Sequence, residues 1–400
     1  MGTKHPGSQT LRALDAVNFL MADVETGIGP FLAVYLASSR HWTPAQIGIA
    51  MSASGFATVA AQTPAGAIVD RLRHKREAIA VGAVLVAIAS LAIRELNAVG
   101  AIVFTQGFMG MVGAFFPPAM AGLTLGIVGK ASFDRRIGRN ETFNHAGNVF
   151  NAILCGLIGY YLTMDDIFIY VPILCLVTIS AIFFIKGNEI DFEQARGCVT
   201  QDGKPAKFLD VVKDRTLLIF VVAVTLFHFA NAAMLPLIGQ RLAQGHAKES
   251  SLAMAVCIVG AQAVMVPVAL MAGWLAPLWG RKAVFLIGFG ILPVRGVLYT
   301  FSDNPWFLIG VQLLDGIGAG IFGVVSVLVI ADLTRGSGRF NFTLGVVATA
   351  TGLGASLSNG IAGFVVQHAG YHAAFLFLAA IAAVAFAVFF FAMPETLKRA

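Results

Sequence analysis

Residues 373–393 read AAFLFLAAIAAVAFAVFFFAM, a block without a single charged side chain. A helix of about 20 apolar residues crosses the roughly 30 Å of hydrocarbon in a bilayer. A helix that is apolar all round has no face to offer water, so it lies in a membrane or deep in a large core. The rest of the chain decides between these. Of 400 residues, 58% are hydrophobic and only 12% charged, with a mean hydropathy of +0.81. Soluble domains carry roughly a quarter of their residues as charged. Half that share leaves too few charges to cover a water-facing surface, which excludes a soluble helical repeat. Comparable blocks recur, as at Ala78–Ile93 and Leu217–Leu226. Helices are the expected spanning element, because lipid cannot satisfy free backbone N–H and C=O groups.

Extending this reading along the chain gives twelve spans: 14–37, 45–69, 77–94, 98–128, 140–163 and 167–186, then 216–240, 250–276, 283–301, 305–331, 341–367 and 371–393. The N-terminus, Met1 to Leu11, is polar and is not followed by a small-residue cleavage site, so the first span reads as a retained helix rather than a signal peptide. Positive residues favour cytoplasmic loops. With both ends placed inside, the inner segments hold 22 of the 27 Lys and Arg residues, and the outer loops hold four: Arg40, Arg94, Arg241 and Lys248. Arg295 lies within a span. Topology thus accounts for the net charge of +6, and no nucleic-acid role is needed. The expected location is the cell membrane, multi-pass (the inner membrane in a Gram-negative cell), with both termini cytoplasmic. The four cysteines, Cys155, Cys175, Cys198 and Cys257, are scattered and suggest neither a metal site nor a disulfide framework.

Residues 187–215 break the apolar pattern and read as a cytoplasmic linker between two six-helix halves, 1–186 and 216–400. The halves repeat. Pro30 and Pro236 lie 206 residues apart, as do Gln106 and Gln312, and Gly110 and Gly316. Gly66–Lys75 after span two is matched by Gly273–Lys282 after span eight, at an offset of 207.

Gly66, Asp70 and Arg71, followed by Lys75 and Arg76, resemble the loop signature of the major facilitator superfamily, and the degenerate copy keeps Gly273, Gly280, Arg281 and Lys282. The resemblance covers span count, linker and repeat. It implies an all-α membrane fold of twelve helices in two pseudo-symmetric bundles. It also implies that Asp70 tethers this loop to the start of span eleven near Arg339–Asn341, with Gly66 permitting close backbone approach. On the other reading, the loop's four basic residues are simply positive-inside anchors. There are departures: Arg73 and His74 replace the usual Gly and Arg, Gln106 stands where many members carry a buried Arg, and span five lacks the Gly-Pro pair of drug/proton antiporters.

Charges deep in a membrane are expensive and tend to mark pathways. Here they are Asp23 and Glu25 in span one, Arg295 in span nine and Asp315 in span ten, with His145 and His228 also titratable. Asp15, Asn18 and Glu25 share one helical face, and Asp23 lies on another. Thr225, His228 and Asn231 align in span seven, with Asn231 matching Glu25 on the repeat offset. Spans four and ten carry Gln106 and Gln312. The resemblance makes spans one, four, seven and ten the cavity-lining helices, and each has a polar group in mid-membrane. Span five adds Glu141, Asn144, His145, Asn148 and Asn151. Asn and Gln also simply join membrane helices, and Arg295 with Asp315 forms either a structural pair or a substrate contact.

No phosphate-binding loop, zinc-protease helix or nucleophile elbow appears. The expected function is therefore a secondary transporter, not an enzyme, with no cofactor. It works by alternating access on a small-molecule substrate as a monomer in the bilayer. Protons couple through Glu25 or Asp23, with Asp315 as a further candidate, because a carboxyl in apolar surroundings can load and release a proton. Export is the favoured direction and uptake by proton symport the alternative. An integral-membrane enzyme or a sensor lies outside this class: the polar residues are spread over several helices, and the longest loop has no room for a signalling domain.

Overall fold

The computed structural model describes residues 6–26, 29–192, 195, 214–244, 247–335 and 340–397; the side chains of Asp23, Glu25, Thr26, Asp70, Lys130, Ala131, Asp134, Ala247, Lys248 and Asn341 lie outside that description. The described residues are helical, with no strand among them. In chain order the helices are α1 (Ser8–Thr26), α2 (Gly29–Ser38), α3 (Pro44–Arg71), α4 (Lys75–Glu95), α5 (Val99–Gly113), α6 (Phe116–Val128), α7 (Lys130–Tyr161) and α8 (Ile167–Phe183). They continue with α9 (Arg215–Ala232), α10 (Met234–Ala243), α11 (Ala247–Trp279), α12 (Arg281–Leu298), α13 (Pro305–Leu333) and α14 (Phe340–Ala392). Seven helical stretches among the described residues are long and apolar enough to cross a membrane.

Spans four and seven are each broken in the middle, and span one is described as two helices with residues 27–28 outside the description. Span one is α1 then α2, span four is α5 then α6, and span seven is α9 then α10. Each second piece opens with a proline in its first three residues: Pro30, Pro117 or Pro236. Proline has no N–H to give the preceding turn, and its ring crowds the carbonyl four residues back, so a helix kinks or stops there. At the other extreme, α14 runs through two expected spans, divided where Gly370 takes φ 84°. Without a Cβ, glycine accepts that left-handed backbone. The starts of α9 and α13 are capped, with Asp214 accepting from the Leu217 N–H at 2.8 Å and Asn304 from the Trp306 N–H at 2.9 Å.

One expectation needs correction. Residues 129–139 read as a cytoplasmic loop, yet α7 begins at Lys130, ten residues before the expected span. Polar residues there hide the helix from hydropathy, and two of them, Arg136 and Arg139, pair with Asp15.

The chain forms two compact units. Unit 1 comprises residues 1–35 and 53–200, and unit 2 comprises 36–52 and 201–400. In unit 1, a Cβ at Gly110 would run into the Ser54 carbonyl, and one at Gly147 into the Phe19 carbonyl. In unit 2, Gly316 meets the Ala261 carbonyl and Gly354 the Thr225 carbonyl in the same way. These are equivalent contacts on the repeat offset, to within a residue, and they set helix–helix distances that no larger residue allows. The aromatic core of unit 2 draws on four spans, with Phe227 stacked on Phe322 and Phe289 on Phe389. Residues 36–52 join unit 2 through a seam of small residues. There Ser52 Oγ donates to the Ser356 carbonyl at 2.5 Å, and Gly48 lies under the Asn359 carbonyl.

Candidate functional site

Four of the residues singled out in the sequence meet in unit 2. Arg295 on α12 is only 2% exposed, and its guanidinium pairs with Asp315 on α13. Nη2 donates to Asn231 Oδ1 on α9 at 2.5 Å. The sulfur of Met234, just past the break in span seven, accepts from Nε at 3.3 Å and from Nη2 at 3.1 Å. Gln312, one turn before Asp315, donates to its second carboxylate oxygen at 3.2 Å and accepts from the Tyr299 hydroxyl. Met234 opens α10, immediately after the junction at Ala233. A full charge is tolerable here because the opposite charge and acceptors for most of its N–H donors are in place. Tyr299 and Met234 were missed in the sequence, although Tyr299 stands one helical turn beyond Arg295 and Met234 three residues beyond Asn231.

His228 is not part of this network. Its ring packs edge-on against Phe322 at 4.5 Å, and Nδ1 lies 3.2 Å from the Val224 carbonyl one turn back. An aromatic wall surrounds it.

Unit 1 presents a different picture. Gln106 is buried, with Nε2 directed at the Met109 sulfur at 3.9 Å, a weak contact. Asn148 donates to Asn144 Oδ1 at 3.1 Å, so part of the span-five polar ladder is closed on itself. His145 Nδ1 is buried without a hydrogen-bond partner among the described residues. The side chains of Asp23 and Glu25 lie outside the described residues, although both positions fall in α1. Asp15, further back along α1, is committed to two arginines. Its carboxylate accepts from Arg136 Nη2 at 2.7 Å and from Arg139 Nε and Nη2 at 3.0 and 2.7 Å. Arg136 also donates to Asn140 Oδ1, which in turn reaches Thr124 through its amide. Burial pulls the Arg136 guanidinium below its usual pKa against the pull of Asp15, while bonding to Asp15 holds Arg139 above it.

The signature loop is also more structured than its charges suggest. Lys75 is buried, and its Nζ donates to the carbonyls of Val69 at 2.6 Å and Leu72 at 3.0 Å, closing the C-terminus of α3. Arg76 donates to the Ile185 carbonyl at 2.5 Å, tying the loop to the end of span six. These two basics are caps and ties, beyond the anchoring role that loop charge implies. Among the described residues a Cβ at Gly66 would meet nothing within 4 Å. Arg71 is exposed at the end of α3, and the Asp70 side chain and residues 336–339 lie outside the described residues. Among the described residues no cluster of His, Cys, Asp and Glu could hold a metal ion.

Comparison with known proteins places this geometry. Residues 14–269 and 222–400 match the family described as Major Facilitator Superfamily. A protein named as an uncharacterized MFS-type transporter, in two strains of Mycobacterium tuberculosis, is 48% identical over 389 residues, covering 96% of this chain and 93% of its own length. A multidrug transporter of Bacillus subtilis is 35% identical over a shorter stretch of 96 residues, 24% of this chain and 18% of its own length. Among solved structures, a mutant of the nucleoside transporter NupG superimposes with a TM-score of 0.81 at 14% identity, covering 95% of this chain and 99% of that one. That likeness is one of fold, and it is the twelve-helix, all-α architecture expected from hydropathy.

Proposed function

The chain belongs to the major facilitator superfamily, and on that premise we propose that it is a proton-coupled secondary transporter exporting a small organic solute by alternating access. Membrane transport itself follows from the family, whose members here are multi-pass transporters and not enzymes. Proton coupling, direction and orientation are the proposal. In it the protein is a monomer in the cell membrane with both termini cytoplasmic.

The observation that supports the division of labour is the Arg295 network. Both oxygens of Asp315 are engaged, one by Arg295 and the other by Gln312. Freeing that carboxylate would strand a buried guanidinium, which in comparable buried pairs costs about 3–5 kcal/mol. Asp315 therefore serves to neutralise Arg295 and hold spans seven, nine and ten together. Proton loading falls to the carboxylates of span one, Glu25 and Asp23. The asparagine and glutamine side chains at Asn231, Gln106 and Gln312, with Asn148 in span five, give the pathway neutral polar groups suited to an uncharged or weakly charged solute. Export draws support from the local similarity to a multidrug transporter. Asp70 and Arg71 act as the gating element of the loop after span two. Gly66 belongs to the same gating loop.

The test is flux. A thermal-shift screen of the purified protein against a broad solute panel would identify a stabilising solute. Vesicles loaded with it and given an inward-acid gradient should then show solute movement that collapses when a protonophore is added. Flux indifferent to the gradient would overturn proton coupling.

A further inference from the structure

At the end of unit 2 that the loop charges assign to the outside, a second polar cluster lies apart from the Arg295 network. Arg241, in the last turn of α10, has a side chain only 11% exposed. Its Nη2 pairs with the carboxylate of Asp303, on the loop before α13, and lies 3.0 Å from Nε2 of His372. Arginine only donates, so a bond between them uses that imidazole nitrogen as acceptor; the same nitrogen lies 3.9 Å from the Asp303 carboxylate. The guanidinium also sits 5.8 Å from the centre of the Tyr371 ring. Nη1 is buried and has no hydrogen-bond partner among the described residues.

A cavity of about 530 Å³ opens beside these groups, with Leu242, Pro305, Leu308 and Ala369 as apolar wall. That volume is within the range of small-molecule sites, which join apolar walls to a few placed polar groups. Asp303 is the least committed member of the cluster. Its side chain is 72% exposed on a connecting loop, so it gives up little by turning into water. We propose that this cavity binds a small organic carboxylate, whose anionic end replaces Asp303 on Arg241 while its apolar body lies against Leu242 and Leu308. Arginine recognises a carboxylate through two parallel N–H donors, and the second donor accounts for the unused Nη1. The occupant is a monoanion with a hydrocarbon body. A neutral solute of the same shape lacks the group that Arg241 asks for. The site stands independently of the proton-coupling proposal, because it is read by binding and not by flux.

The test uses the purified full-length protein and two probes of the same shape, benzoate and benzyl alcohol, titrated by calorimetry. Benzoate should bind saturably and at least about tenfold more tightly than benzyl alcohol, the margin of one charge-assisted hydrogen bond. Arg241→Gln should erase that margin. Asp303→Asn should act in the opposite direction and tighten benzoate binding several-fold, because the built-in competitor has lost its charge. That opposite sign separates a site from a general loss of folding. Equal binding of the two probes, benzoate affinity unmoved by Arg241→Gln, or weaker binding in Asp303→Asn would each overturn the proposal.

Discussion

Where unit 2 carries Arg295 and Asp315, unit 1 carries Ala89 and Met109 at the positions one repeat offset of 206 earlier. Tyr299 corresponds to Ile93, Met234 to Ile28, and Asn231 to Glu25. Ala89, Ile93 and Met109 are all buried. The backbone contacts were kept through this divergence, since Gly110 on Ser54 matches Gly316 on Ala261, and Gly147 on Phe19 matches Gly354 on Thr225. Duplication therefore preserved the packing of helices and let the buried chemistry drift apart. One unit has a cation whose charge is cancelled locally. The other has carboxylates in span one and no lysine or arginine deep within its spans. That asymmetry is the physical reason for assigning structure to the Arg295 pair and proton traffic to Glu25 and Asp23.

The comparison can be broken most sharply at its centre. Arg295→Ala should cost about 3–5 kcal/mol, because it leaves Asp315 buried without its counter-charge. A large fall in the melting temperature of the detergent-purified protein would register it, and the Arg295→Ala, Asp315→Ala double variant should recover part of the loss. No recovery would mean that the pair does not act as a unit. In unit 1 the fixed charges are Arg136 and Arg139 on Asp15. Arg136→Ala should cost less, about 2 kcal/mol, because Arg139 still reaches Asp15; the same melting measurement on both variants ranks the two sites. Next come the shared contacts. Gly110→Leu and Gly316→Leu should each destabilise by about 1–3 kcal/mol, the usual range for overpacking, and by similar amounts. Melting shifts that differ widely would contradict the claim that packing was preserved. The smallest effect belongs to Tyr299→Phe, which removes one buried hydrogen bond to Gln312 and should lower stability by about 1 kcal/mol in chemical denaturation.

How far the sequence discloses this depends on what each signal measures. Hydropathy locates the spans because lipid contact is a property of many residues together. It ends span five at residue 140 because Arg136, Arg139 and Asn140 are polar, although a period of three and four residues already puts them on one helix face toward Asp15. Loop charge counts Lys75 and Arg76 as anchors but says nothing about carbonyls such as Val69 and Ile185, which are acceptors in every sequence. Depth in the membrane makes Arg295 and Asp315 a candidate pair. The choice of Asn231, Met234 and Tyr299 as partners depends on the rotation of three helices and on the break at Ala233, which only coordinates supply. Gly66 has open space around it among the described residues, and the partner expected near Arg339–Asn341 lies largely outside them.

The most direct measurement of the central asymmetry is a pair of assays in one vesicle preparation: solute exchange at equal pH on both sides, and net flux driven by a pH gradient. In the Glu25→Gln, Asp23→Asn double variant, exchange should persist while gradient-driven flux is lost, since the substrate still crosses but no proton is loaded. Gradient-driven flux at the wild-type rate in that variant would contradict the account.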